Sequence, residues 1–333
     1  MSDQTPTDTA KQEPQEQFLY AFNDKGQRVR FSREQWAKHV IPQNVKLHWK
    51  NPDALFALLQ QAVQGGFYAE IEQAAWHLQE IDRNLERGTS LLAHVLLRLG
   101  KLDECEQLID EFIDVAGPTG NMLAGKAKLM VERNKDADVS EQLREALKLS
   151  PNNENTLHWY ALDGKKKDGM DGLKARLREA CDFPGSFMPQ IRLGGILLEE
   201  GDIEGAIELY ESILDLARRD GNILLGISSA MAQYHLTEEM IDMLAPVYNF
   251  QKHGPYVGMN LAQAMTDAGR HSDARQIVKP IRALNNPQFN EYLDTMDKQE
   301  ERRMKPWWQM FNAAAGIEDE DAGDAEAGEG GEQ

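Results

Sequence analysis

Apolar positions recur along most of this chain with a helical period. The clearest stretch is QIRLGGILLEEGDIEGAIELYESILDLARRDG, from Gln190 to Gly221. It has small and apolar residues at helical spacing, a Gly-Asp turn at Gly201, and a second amphipathic run. Counted from Phe187, Leu193, Gly194, Leu197, Ala206, Tyr210 and Ile213 fall on positions 7, 8, 11, 20, 24 and 27. Stepping 34 residues from Phe187, with one slip of a single residue, gives further units starting at Pro52, Glu86, Gly120, Glu154, Gly221 and Pro255. Position 8 then reads Leu59, Ala93, Ala127, Ala161, Gly194, Ser228 and Ala262, small in all but the first. Position 24 reads Ala75, Ile109, Leu143, Leu177, Tyr210, Leu244 and Val278, all apolar. A small residue at 8 lets two antiparallel helices approach closely. Apolar residues at 20, 24 and 27 form one stripe on the second helix, which neighbouring units cover.

The turns carry helix breakers: Gly66, Gly100, Gly201 and Gly269 inside units, and Pro118, Pro151, Pro184 and Pro287 near their ends. The fourth unit is the weakest, because its GKKKDGMDG run is expected to spoil the first helix near Gly164. The pattern changes at both ends. Phe18, Tyr20 and Phe22 alternate, Asn23 to Gly26 supply a turn, and Val29 and Phe31 alternate again, which predicts a short β-hairpin. Ser32 and Gln35 form a capping box for a short helix through Trp36, which Ile41-Pro42 is expected to end. Phe289, Tyr292, Leu293 and Met296 lie at i, i+3, i+4 and i+7, the spacing of a terminal capping helix.

This register resembles that of the tetratricopeptide repeat family across about residues 52–288. The fold the resemblance implies is all-α, a right-handed α-solenoid of about seven helix pairs, here with a small N-terminal hairpin and helix. The expected organisation is a polar, disordered tail over 1–17, a hairpin-helix cap over 18–51 and repeats over 52–288. A cap helix and aromatic segment over 289–311 follow, then an acidic disordered tail over 312–333. In the family, positions 2, 5, 6, 9, 12 and 13 of each first helix line an inner groove. Here they include Arg87, His94, Arg98, Lys128, His158, Trp159, Arg192, Asn222, Gln233, Tyr256, Asn260 and Gln263. The earlier units offer cations and the last two offer amides and aromatics. One family subgroup grips C-terminal carboxylates with Lys at 5 and Asn at 9 of one unit. No unit here has both. Trp307, Trp308 and Phe311 form a second candidate, either a docking motif or part of the C-terminal cap.

Charge narrows the partners. With 36 basic and 55 acidic residues the chain carries −19, which disfavours nucleic acid and anionic lipid. Part of that charge sits in the segment from Glu318 to Gln333, which contains no Lys or Arg. A partly basic groove in an acidic chain suits an extended peptide with acidic side chains or a free carboxylate. The N-terminus lacks an apolar signal segment, no apolar run is long enough to span a bilayer, and two distant cysteines make no disulfide framework. A reducing cytoplasm is the expected location. Nucleotide-loop, nucleophile-elbow and zinc-protease motifs are absent, and the eight histidines show no metal-ligand spacing. Neither catalysis, a cofactor nor a metal is expected. Cys105, at position 20, reads as an inert core thiol. The expected function is a scaffold or adaptor that binds an extended peptide or partner protein in the groove. The alternative is a peptide-sensing receptor whose superhelix changes shape on binding. An enzyme is the least favoured of the three.

Overall fold

The computed structural model describes residues 19–22 and 27–304. The hairpin turn at Asn23–Gly26, the tail over 1–17, Trp307, Trp308, Phe311 and the acidic tail over 312–333 lie outside the described residues. Contacts divide the chain into two compact units, Met1–Arg176 and Leu177–Gln333.

The first unit opens with β1 (Leu19–Phe22) and β2 (Arg28–Phe31), paired antiparallel with Leu19 opposite Phe31. The capping box forms: the Gln35 N–H donates to Ser32 Oγ at 3.2 Å, and the Ser32 N–H donates to Gln35 Oε1 at 3.0 Å. It starts α1 (Arg33–Gln35), which continues through a π-helical stretch, Trp36–Val40, into α2 (Ile41–His48). The helix therefore does not end at Ile41-Pro42. The Ile41 N–H reaches back five residues to the Trp36 carbonyl. Pro42 then sits in the first turn of the next α-helical segment, where its missing N–H costs little. Leu19, Trp36, Ala37, Val45 and Trp49 pack on the core of the first repeats. Arg33 donates from Nη1 to the Gly65 carbonyl at 2.6 Å and from Nη2 to the Gly66 carbonyl at 3.0 Å. Both oxygens lie at the end of the next helix, where carbonyls lack intrahelical partners.

Helices then follow in consecutive pairs. These are α3 (Pro52–Gln64) with α4 (Tyr68–Ile81), α5 (Leu85–Arg98) with α6 (Leu102–Ala116), and α7 (Gly120–Arg133) with α8 (Ser140–Leu149). Polar side chains start the first helices: Asn51, Asn84 and Thr119 accept from the N–H groups of Ala54, Arg87 and Met122. The next helix, α9 (Glu154–Cys181), runs on to Lys167 before reversing at Asp168 and Gly169, whose φ is 64°. Gly164 thus does not spoil its helix. A Cβ there would lie 2.5 Å from the Gly172 carbonyl oxygen, so glycine lets the two arms of this tight hairpin touch backbone to backbone.

In the second unit α10 (Met188–Glu200) pairs with α11 (Ile203–Ser212), and a single turn, α12 (Leu214–Ala217), precedes α13 (Gly221–Gln233). That helix packs with α14 (Thr237–Leu244) and α15 (Phe250–Asp267). In α15 Gly254 takes φ 72°, so the helix restarts at Pro255. It packs with α16 (His271–Arg282), and α17 (Pro287–Met304) follows. In α17 Phe289, Leu293 and Met296 are buried, whereas Tyr292 keeps 39% of its surface exposed.

The fold is all-α, a tandem of tetratricopeptide-like helix pairs with a small N-terminal strand pair. Its register is that of the sequence, since every residue at position 8 and every one at position 24 is buried. The two positions trade volume. Gly194 stands with Tyr210, and Leu59, the one large residue at position 8, stands with Ala75. The glycines of the intra-unit turns, Gly66, Gly100, Gly201 and Gly269, all take positive φ.

Candidate functional site

First helices of successive repeats bring their positions 2, 5, 6, 9 and 12 to one groove in the first unit. Two adjoining cavities open there. One, of about 270 Å³, lies between α5, α7 and the first arm of α9. The other, of about 630 Å³, lies between α3, α5 and the starts of α7 and α9. They share Ser90, His94, Asn121 and Asn155. Ala93, Leu97, Met122, Cys105 and Ile109 give the smaller one an apolar lining, while Lys128, Asn153, Thr156 and Trp159 complete its wall.

A ladder of polar side chains ties the helix starts together. The Glu86 carboxylate accepts from Thr119 Oγ1 at 2.8 Å and from Asn121 Nδ2 at 2.9 Å. Asn121 Oδ1 accepts from Asn153 Nδ2 at 3.0 Å, and Asn153 Oδ1 accepts from the Thr156 N–H at 3.0 Å. The one carboxylate on these cavity walls is thus already engaged. The cations are of two kinds. Arg87 is bound by its fork to Asp82, Nε–Oδ2 2.7 Å and Nη2–Oδ1 2.9 Å, with Asp53 at 2.8 Å and the Phe56 ring 4.9 Å below. It joins α4, α5 and α3. Lys128 is exposed, and Arg98 is exposed with its guanidinium 5.3 Å from the Tyr68 ring centre. Among the described residues no carboxylate pairs with either. His94 sits beside them, half-buried and edge-on to Tyr68 at 5.9 Å. Burial first, then the charges of Lys128 and Arg98, hold its pKa below the usual histidine range. His158 is exposed and Trp159 half-buried at the cavity wall.

In the second unit Arg192, Asn222, Gln233 and Tyr256 are exposed, and Tyr256 meets Phe289 edge-on at 5.4 Å. Asn260 donates to Ser228 Oγ at 3.0 Å, and Gln263 donates to Asp267 at 3.2 Å. Sequence reasoning missed Ser90, Asn121, Asn153 and Asn155 as groove residues. A signal was present: Ser90 stands at position 5, Asn121 and Asn155 at position 2, and Asn153 immediately before a helix.

Neither cysteine is a ready nucleophile. Burial pushes the Cys105 thiol up to about 11 and the Cys181 thiol up to about 12. Cys105 donates to the Ala93 carbonyl at 3.4 Å, linking positions 20 and 8 of one repeat. Ser140 and Lys167 are in contact, but the hydrogen bond that Lys167 donates to Asp138 raises the Lys167 pKa, so its ammonium holds the proton a general base would have to lose. Among the described residues no group of three or more His, Cys, Asp or Glu side chains is placed to hold a metal. No described helix is long and apolar enough to cross a membrane.

The tetratricopeptide repeat family model matches residues 87–111, which lie in α5 and α6. Among solved structures, a tetratricopeptide repeat protein from Parabacteroides merdae is 11% identical, aligned over 74% of this chain and 98% of its own, with a TM-score of 0.31. A chain of the APC/C hetero-tetramer Cut9–Hcn1 is 13% identical, aligned over 81% of this chain and 54% of its own, with a TM-score of 0.34. A search of curated protein sequences found no match.

Proposed function

We propose that this chain, a tetratricopeptide repeat protein, is a non-catalytic binding scaffold whose first-unit groove holds an extended acidic segment of a partner protein. Tandem helix-pair repeats present long surfaces suited to that work. The observation that carries the reading is a pair of exposed cations that no described carboxylate engages, Lys128 on the cavity wall and Arg98 one turn along α5 from His94, both acting on that histidine, in a chain whose net charge is −19. In such a chain a basic groove focuses negative charge from the partner. Asn155 offers an amide for its backbone. Arg87 supports the groove wall, since its guanidinium already has two carboxylate partners. His158 and Trp159 extend the contact. Arg192, Asn222, Gln233, Tyr256, Asn260 and Gln263 are proposed as a second patch in the other unit. Residues 18–51 are proposed as the cap of the first repeat, and the reducing cytoplasm as the compartment.

The test is selection of random dodecapeptides displayed on phage, run in parallel on the wild type and on Arg98→Glu/Lys128→Glu. The wild type is expected to enrich peptides rich in Asp and Glu. Their binding should weaken by about tenfold in the double variant and fall as salt rises. Enrichment of the same peptides by both proteins would reject the reading.

A further inference from the structure

We propose that the groove takes a proton onto His94 as it takes up its acidic segment, so that mild acid tightens binding. This proton linkage rests on the acidic-segment reading of the groove and adds the regulation of that site.

Position comes first. His94 lines both cavities and is half-buried. Neither of its ring nitrogens has a hydrogen-bond partner among the described residues, and neither is shut off from solvent. A carboxylate oxygen of a bound segment can therefore accept from a ring N–H.

The neighbours set the direction. Arg98 follows His94 by one turn of α5, and Lys128 acts on it from α7. Helix α4 presents Tyr68 edge-on, and α6 presents the Cys105 thiol, which its raised pKa keeps neutral. The other charged groups on the cavity walls are Glu86 and Arg87. Thr119 and Asn121 donate to Glu86, while Asp82 and Asp53 hold Arg87. Helix α3 and the first arm of α9 line the cavities with no titratable side chain, and His158 of that arm lies outside the walls.

Before a ligand binds, burial and then the charges of Lys128 and Arg98 disfavour a proton on His94. Carboxylates seated on those two cations offset their charges and attract the imidazolium themselves. Linkage makes the effect reciprocal. If the bound acid raises the histidine pKa, the protonated histidine binds the acid more tightly by the same factor. Binding is weakest where His94 is neutral both free and bound. It tightens as pH falls through the bound-state pKa and levels off below the lowered free value.

The experiment uses the full chain and a rhodamine-labelled Gly/Ser dodecapeptide with four central glutamates, beside a copy with four glutamines. Anisotropy is read from pH 8 to pH 5.5 at fixed ionic strength, a range in which glutamate, with an ordinary pKa of about 4.3, stays ionised. The glutamate peptide should bind about fivefold tighter at the acid end. His94→Gln should remove most of that gain. Calorimetry of the unaltered chain at pH 6.5, in two buffers of different ionisation heat, should show proton uptake on binding. A flat pH profile or no proton uptake, with glutamate still preferred over glutamine, would overturn the linkage and leave the acidic groove standing. A gain of the same size in His94→Gln would overturn the role given to that residue. Equal or absent binding of the two peptides at every pH would overturn the acidic groove, and the linkage with it.

Discussion

Alanine at Gly194 is expected to lower stability by about 2 kcal/mol, whereas alanine at the adjacent Gly195 should raise it by up to about 1 kcal/mol. Both glycines lie inside α10, so both substitutions gain roughly 1 kcal/mol of helix propensity. The neighbours decide the sign. A Cβ on Gly195 meets nothing within 4 Å. A Cβ on Gly194 would overlap Tyr210 Cε1 and would lie 2.7 Å from Cζ and 2.9 Å from the hydroxyl oxygen. Tyr210 is fully buried, so its ring has no open side to move into. Overpacking of this kind costs about 1–3 kcal/mol, and three atoms overlapping at once puts Gly194 near the top of that range. Urea denaturation followed by circular dichroism measures both changes. Adding Tyr210→Leu to Gly194→Ala should recover most of the loss, because it rebuilds the pairing of alanine at position 8 with leucine at 24 found in Ala127/Leu143. If Gly194→Ala alone is as stable as the wild type, close approach is not why glycine occupies this position.

That volume trade explains why the fold could be read from sequence. The helix pairs must bury positions 8 and 24 against their neighbours, so a period of 34 in residue size is a direct image of the packing. Two local readings failed for a shared reason: a breaker residue was judged by type and not by its place in a helix. Pro42 breaks nothing because the π-helical turn before it places the proline in a first turn, where an N–H is not needed. Gly164 is a contact point, and the actual reversal uses Asp168 and Gly169, where φ turns positive.

The groove was legible only in outline. Repeat positions say which residues share a face, and they put His94, Lys128 and Trp159 on one wall, where the structure has them. They do not say which charges are already engaged. Arg87 and Lys128 both stand at groove positions, yet one is bound to two carboxylates and the other to none. The distinction depends on Asp82, which lies between helices and outside the set of repeat positions the register scores.

Arg87→Ala should therefore act first on stability, with a cost of about 3 kcal/mol near pH 7. The Asp82 carboxylate is almost wholly buried, with 1% of its side chain exposed, and it accepts both arms of the Arg87 fork. Removing the guanidinium strands a charge that water cannot reach, and only the Asn84 N–H at 2.9 Å remains to hold it. Acid should relieve the defect. In the wild type the hydrogen bond from Arg87 holds the Asp82 pKa below its ordinary value, so the pair contributes stability above about pH 4 and loses it as pH falls through the lowered value. In the variant burial pushes the other way, so Asp82 takes up its proton at a higher pH and sheds its penalty early. The difference between the two proteins should begin to shrink above about pH 4 and go on shrinking as pH falls towards the lowered wild-type value. Urea midpoints measured from pH 7 down to pH 3 would show it. A cost independent of pH would mean that Arg87 stabilises by packing on Phe56 and not by pairing with Asp82. That result would also return its guanidinium to the groove as a candidate ligand contact.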